Sequence, residues 1–335
     1  MSNNIIELQK APNDIISSIK FSPKNQHLLV GSWDGEINLY DFETKLTSIS
    51  NDDSITDIIW DKRNLTDSYL SDTSGFIKRI DLENGKSFKI GNQHSKSIQC
   101  LQYLQNSNRI ASGSWDKTIQ LIDPLTSSSS SQPIKLDEKI FTMDSIDNYL
   151  VIGTSNRLVY IYDIRNIDEP LQIRESGLKY QTRSIKCMPN AKGYVQSSIE
   201  GRIAVEYFDP NPEIQVQKYA FKCHRLNLQD LDLVSPVNAL NFHEKFHTLF
   251  TGGSDQFVCL WDQNSKKRLK QYPKFDQSIV SLDFKDHYLA IATSDDSFKT
   301  RANLNGFNKD SIQPSKLYIK ILSEFEGKSK HWVGI

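Results

Sequence analysis

The chain repeats itself. Residues 31–41 read GSWDGEINLYD and residues 113–123 read GSWDKTIQLID. Both hold two small residues, one free position, an acidic turn residue and an alternating apolar stretch ending in Asp. Five further copies follow: SDTSGFIKRID at 71–81, GTSNRLVYIYD at 153–163, SSIEGRIAVEY at 197–207, GGSDQFVCLWD at 252–262 and ATSDDSF at 292–298. The turn residues are Asp34, Ser74, Asp116, Asn156, Glu200, Asp255 and Asp295, separated by 40, 42, 40, 44, 55 and 40 residues. A unit this short cannot bury both of its faces alone and must stack on its neighbours.

Each unit reads as β-structure. In HLLVGSWDGEINLYD, apolar residues run up to the turn; afterwards Ile37 and Leu39 alternate with Glu36, Asn38 and Tyr40, the period of a strand. Asp34-Gly35 is hairpin-turn chemistry, because Gly accepts positive φ without strain. A further strand precedes the hairpin in ISSIKFSP, SIQCLQYL and PVNALNFHE. An inner strand, a hairpin and room for an outer strand make a four-stranded blade, and blades stacked around an axis leave only short edges. The period resembles the ~40–45 residues of the WD-repeat β-propeller family. The family's dipeptide stands as Trp261-Asp262 and, altered, as Tyr40-Asp41, Ile80-Asp81, Ile122-Asp123 and Tyr162-Asp163. The fifth copy departs with Tyr207, and the seventh lacks a clean second strand until LYIKIL at 317–322, beyond an insertion at 299–315. The resemblance implies an all-β, seven-bladed propeller over residues 1–335 as one domain. NIIELQ at 4–9 would close the last blade, and a short tail would occupy 323–335. SSSSSQP at 127–133 reads as a mobile low-complexity loop, and the 55-residue interval as an expansion of the fifth blade.

Several function classes find no support. The net charge of −1 gives no basic field for non-specific nucleic-acid binding. No apolar run is long enough to span a bilayer, and MSNNIIELQK does not resemble a secretory signal. Cys100, Cys187, Cys223 and Cys259 lie far apart with no CxxC spacing, so each is expected to be a reduced, half-buried core residue in the cytosol or nucleus. No phosphate loop, GxSxG, dinucleotide fingerprint or HExxH is present. Cys223 and His224 are adjacent, so on a strand they would point to opposite faces and form no dyad. The regular spacing of the turn acids marks them as structural. No catalytic residue, metal site or cofactor is expected.

Two constellations remain. The free position reads Trp33, Thr73, Trp115, Ser155, Ile199, Ser254 and Ser294. In the WD-repeat family this turn lies on the top face near the channel. A single Trp there is best read as packing on its neighbour. Two at the same repeat position, two blades apart, point to recognition, because Trp is prominent among interface hot spots. The second constellation is basic: Arg183, Arg202, Lys222, His224 and Arg225 gather around the fifth blade. Such residues can line a solvated edge, or bind carboxylate or phosphate in bidentate geometry.

A narrower resemblance rests on the two GSWD turns, KIFTMD (139–144), ESGLKYQTR (175–183), SSIEGRIAVEY, YAFKCHRLN (219–227) and TSDDSFKT (293–300). Over nearly the whole chain these resemble the "budding uninhibited by benzimidazole" propellers of the spindle-assembly checkpoint. The resemblance implies a non-enzymatic adaptor of the nucleus, at kinetochores in mitosis. Trp33, Trp115 and Arg183 match positions that hold a glutamate-rich motif of the checkpoint kinase and of its kinase-related paralogue. Arg202 and Lys222 match positions that contact phosphate in phosphorylated Met-Glu-Leu-Thr repeats of the kinetochore scaffold. The family also joins the mitotic checkpoint complex that inhibits the anaphase-promoting ubiquitin ligase. A monomeric propeller in hetero-complexes follows, with no direct nucleic-acid or membrane contact. A sister group, the messenger-RNA export propellers of the nuclear pore, shares much of the middle block and is the alternative; it would use the same two Trp residues for a nucleoporin motif. The serine-rich loop and the tail EFEGKSKHWVGI depart from the pattern.

Overall fold

Each repeat folds as an antiparallel sheet that runs outward from a central axis. The computed structural model describes residues 4–129, 132–296, 312–330 and 332. In the first blade the order is Ile16–Phe21, Leu28–Ser32, Glu36–Tyr40 and Lys45–Ser50, each strand paired with the next. The other blades repeat this plan, and their inner strands are Ile55–Trp60, Ile98–Leu104, Ile140–Ile146, Thr182–Cys187, Val237–Phe242 and Ser278–Lys285. Every inner strand meets the next, and Ser278–Lys285 returns to Ile16–Phe21, so the seven blades form a closed ring. The last blade borrows its outermost strand from the start of the chain. Ile5–Leu8 pairs with Lys316–Ile321, from Ile5 opposite Lys320 to Leu8 opposite Leu317. The predicted closure and the late second strand are both borne out. Residues 297–311, most of the predicted insertion, lie outside the described residues.

The small residues of the repeat have a packing cause. A Cβ placed on Gly31 would lie 2.9 Å from Ile55 and Ile58, and one on Gly113 would lie 2.7 Å from Ile140. In both cases the isoleucine belongs to the inner strand of the following blade. The Asp that ends the third strand also has a local cause. Asp41 accepts the N–H groups of Glu43 and Thr44, Asp81 those of Glu83 and Asn84, and Asp262 those of Asn264 and Ser265. Each fixes the turn into its outer strand. The bonds from Thr44 and Glu43 hold the Asp41 carboxyl below its usual range, and side-chain bonds from Arg165 bring Asp163 down to about 2.

Two features differ from expectation, the cysteines and the serine-rich loop, while the expected expansion of the fifth blade and the C-terminal tail take a defined form. All four cysteines are buried rather than half-buried, because each sits between blades. Ser128–Ser129, inside the loop expected to be mobile, forms a short outer strand on Thr118–Asp123, as does Ile134–Lys135. Residues 130–131 lie outside the described residues. The expansion of the fifth blade holds a helical turn (Pro212–Gln215), the outer strand Tyr219–Lys222 and a separate hairpin, Arg225–Leu228 with Leu231–Val234. The tail docks on the sixth blade. Glu326 accepts bonds from Lys270 and Tyr272, Thr248 donates to the Gly327 carbonyl, and Trp332 meets Phe246 edge-on.

Beneath the tail, His243 packs against Phe246, Phe250 and Phe284 while its Nδ1 accepts the N–H groups of Lys245 and Phe246. Burial, then the charge of Lys245, pushes its pKa down to about 4. The unfolded chain binds a proton near pH 6.5 that the folded chain refuses, so stability is full above pH 6.5 and falls as pH drops toward 4. Urea unfolding at pH 7.5 and pH 5 should differ by about 2 kcal/mol from this residue, the folded state being weaker at pH 5. His243→Leu should shrink that difference.

Candidate functional site

The ends of the inner strands and the middle turns meet on one face. The N–H of Trp33 donates to the Ile15 carbonyl, and that of Trp115 to Ser97. The same bond recurs from Thr73 to Ser54, Ser155 to Lys139, Ile199 to Gln181 and Ser254 to Pro236. The free position is therefore tied, blade after blade, to the residue just before or near the start of an inner strand. Its side chain is left over. Trp33, Trp115 and Ile199 are 45%, 39% and 40% exposed, so part of each large side chain is open to solvent and the rest is covered. Lys139 lies over the Trp115 ring, 5.6 Å from its centroid.

A second device shapes the channel mouth. Every inner strand carries a β-bulge near its start, between Ile16 and Ser18 in the first blade and between Thr182 and Ser184 in the fifth. A bulge leaves one residue unpaired and re-aims its side chain. The residues so released are Ser17, Thr56, Gln99, Phe141, Arg183, Asn238 and Val280, and all seven line a cavity of about 280 Å³ in the channel. Arg183 is the cation of this set. Its Nε donates to Asn238 at 3.2 Å. Crowding by the channel wall lowers its pKa from the ordinary value, and the Asp296 carboxylate opposes this. Trp115 lines the same cavity, whereas Trp33 stands at the equivalent turn outside the lining.

Arg202 and Lys222 come together elsewhere. They are direct cross-strand partners in the fifth blade, Arg202 on its third strand and Lys222 on its outer strand. Their neighbours Ile203 and Phe221, also opposed, pack toward Trp261 of the sixth blade, so the two cations point to the other face. Like charges so placed repel one another. Arg202 is half-buried and meets Glu200 at 3.6 Å. Among the described residues, the Lys222 side chain has no ion pair or hydrogen bond. Arg225 braces the adjoining turn by donating to the Glu200 and Gly201 carbonyls.

His224 does not belong with these cations, contrary to the sequence grouping. It sits between two strands with φ 48°, so the strand argument about Cys223 does not apply. Its Nδ1 is 2.7 Å from Asp255 and its Nε2 is 2.7 Å from Thr251, which also accepts from Trp261 Nε1 at 3.0 Å. Both ring nitrogens are committed, and Cys223 is buried in an apolar cluster with its thiol pKa pushed well up by burial. His94 repeats the array with Asp116, Ser112 and Thr118. The Thr–His–Asp order resembles a nucleophile triad, but the Thr251 side chain is fully buried, and Asp255 instead carries the sixth-blade turn. Sequence reasoning missed these arrays because partners come from adjacent blades; only the recurrence of a His some distance before a turn Asp could have flagged them.

The WD domain, G-beta repeat model matches residues 4–41, 85–123 and 220–262. The chain is 38% identical to mitotic checkpoint protein BUB3.1 of Arabidopsis thaliana over 97% of this chain and 94% of that protein. It is also 38% identical to spindle assembly checkpoint protein bub3 of Schizosaccharomyces pombe, over 85% and 90%. The poly(A)+ RNA export protein of the same yeast is more distant, at 29% over 83% and 80%.

The His224 array makes a stability prediction. Thr251→Val strands a buried indole N–H and a ring nitrogen, and should cost about 2 kcal/mol or more in urea unfolding, while Thr251→Ser should cost less.

Proposed function

Because this chain belongs to the family of Bub3 mitotic checkpoint proteins, we propose that it is a non-enzymatic adaptor whose residues 1–335 act as one propeller to bring checkpoint kinases to kinetochores. A spindle checkpoint role, exercised through protein–protein contacts, follows from the family itself. The finer reading assigns two surfaces. Trp33 and Trp115 hold the apolar atoms of a glutamate-rich motif in the checkpoint kinase and its paralogue, and Arg183 pairs with one of its carboxylates. Arg202 and Lys222 hold the phosphate of phosphorylated Met-Glu-Leu-Thr repeats. From there the adaptor joins the mitotic checkpoint complex that restrains the anaphase-promoting ubiquitin ligase, in the nucleus and at kinetochores.

The observation that carries the reading is the Arg202–Lys222 pair. Two cations held opposite each other lack an anion of matching charge, and a phosphate brings about −1.5 to −2 charges with three acceptor oxygens. Glu200 supplies only one charge and only to Arg202. The two indoles support the first surface by standing exposed at equivalent turns two blades apart.

Calorimetric titration tests both surfaces. A Met-Glu-Leu-phosphoThr peptide should bind, its unphosphorylated twin should not, and Arg202→Ala should weaken binding by about tenfold or more, the worth of a charge-assisted bond. Glu200→Gln, which removes the competing carboxylate, should not weaken it. Trp33→Ala should cost the glutamate-rich peptide ~2–4 kcal/mol. Binding of neither peptide, with the protein folded, would overturn the reading and favour the export alternative.

A further inference from the structure

The hairpin between the fifth and sixth blades carries an apolar face with no cover among the described residues. Leu226 pairs with Leu233 and Leu228 with Leu231, so the four leucines share one face of the ribbon. They are 47–60% exposed. Among the described residues the hairpin is a sheet of its own, paired with no blade. A lone two-stranded ribbon is marginal in water, and four leucines together exceed the scattered apolar residues normal for a surface.

Its position links it to the top face. The hairpin leads through Pro236, whose carbonyl receives the Ser254 N–H, into the inner strand of the sixth blade. It therefore rises on the same face as the free-position turns. Arg225, its first residue, grips the carbonyls of Glu200 and Gly201. Those residues adjoin Ile199, the third large apolar side chain of the free-position set. Trp33, Trp115 and Ile199 occupy alternate blades, one, three and five, and the hairpin follows the fifth blade. A groove of about 590 Å³ separates Leu226 and Leu233 from the sixth blade. Arg268 and Lys274 line it together with Arg225, which already meets Asp232 at 3.7 Å, and its lining carboxylate, Asp255, is engaged by His224. The groove fits a chain that is both apolar and acidic.

We propose that the leucine hairpin is the far end of the partner-binding surface. It takes leucine-sized side chains from an acidic segment continuous with the glutamate-rich motif on Trp33 and Trp115, and Ile199 is a contact on the way. This rests on the proposed motif site. It is separate from the phosphate pair, which points to the opposite face of the fifth blade.

The test uses the full chain and two lengths of the checkpoint-kinase segment: the motif alone, and the motif with about twenty native residues on each side, enough to cross the face when extended. Leu226→Ser/Leu233→Ser should weaken the long segment by about fivefold or more and leave the short one unchanged, consistent with losing a buried apolar pair. Leu228→Lys, at the ribbon tip, should act in the same direction without touching the groove floor. An unchanged affinity for the long segment overturns the proposal. So does concentration-dependent dimerisation in analytical ultracentrifugation that the double substitution abolishes, since a second copy would then be the occupant. If Trp33→Ala spares both lengths while the hairpin variant weakens the long one, the motif site fails and the hairpin contact stands by itself.

Discussion

The structure depends on one contact repeated around the ring: the inner strand of one blade set against a small residue of the blade before it, glycine in four blades and Ser71, Ser197 or Ala292 in the other three. Gly31 faces Ile55 and Ile58, Gly113 faces Ile140, and Gly153 faces Ile185. The contact brings two sheets close enough to exclude water and fixes their relative twist. A methyl group on one of those glycines would force the sheets apart, the overpacking that costs ~1–3 kcal/mol in cores. No blade is complete without its neighbour, and the ring has no free end because Ile5–Leu8 finishes the blade begun at Ser278. The candidate binding residues can then be large, charged and exposed, since this contact does not depend on them.

That division explains what the sequence makes legible. The small residue, the turn acid and the strand-ending Asp recur because packing and backbone bonding demand them in most blades. Other features recur in geometry but not in residue type. The bulge is present in all seven inner strands, yet its residue is Ser17 in one and Phe141 in another. Only its location matters to the backbone, so the chain leaves no mark of it. Arg183 stood out by charge, but its aim into the channel came from the bulge. The hairpin is a different kind of miss: LNLQDLDL alternates as a strand pair should, and the signal was submerged in the longer expansion. The tail gave no signal because Glu326, Gly327 and Trp332 each bind a different part of the sixth blade, with no period among them.

The two proposed surfaces rest on different physics. At the channel mouth, exposed indoles offer apolar area at little entropic cost, and Arg183 is the cation among the seven bulge side chains. On the fifth blade the signal is electrostatic frustration: Arg202 and Lys222 face each other, and the carboxylate of Glu200 meets Arg202 alone. A cross-strand pair is a rigid way to keep two cations apart by a fixed distance, because the register cannot slip without turning Ile203 and Phe221 out of the core. The repulsion is thus maintained by apolar packing on the other side of the same strands.

The fifth blade concentrates what the other blades lack. It departs from the strand-ending Asp at Tyr207, has the longest interval and carries Arg183, Ile199, Arg202, Lys222 and the leucine hairpin. This clustering follows from ring mechanics. Length added to the connection between two blades leaves the sheets and their contacts untouched, provided its ends remain close. Here the ends are fixed by His224, whose ring ties the start of the hairpin to Asp255 and Thr251 of the sixth blade, and by the Ser254–Pro236 bond at its close. The array that looks catalytic is instead the clamp that lets a ribbon of ten residues stand out from the ring without loosening it.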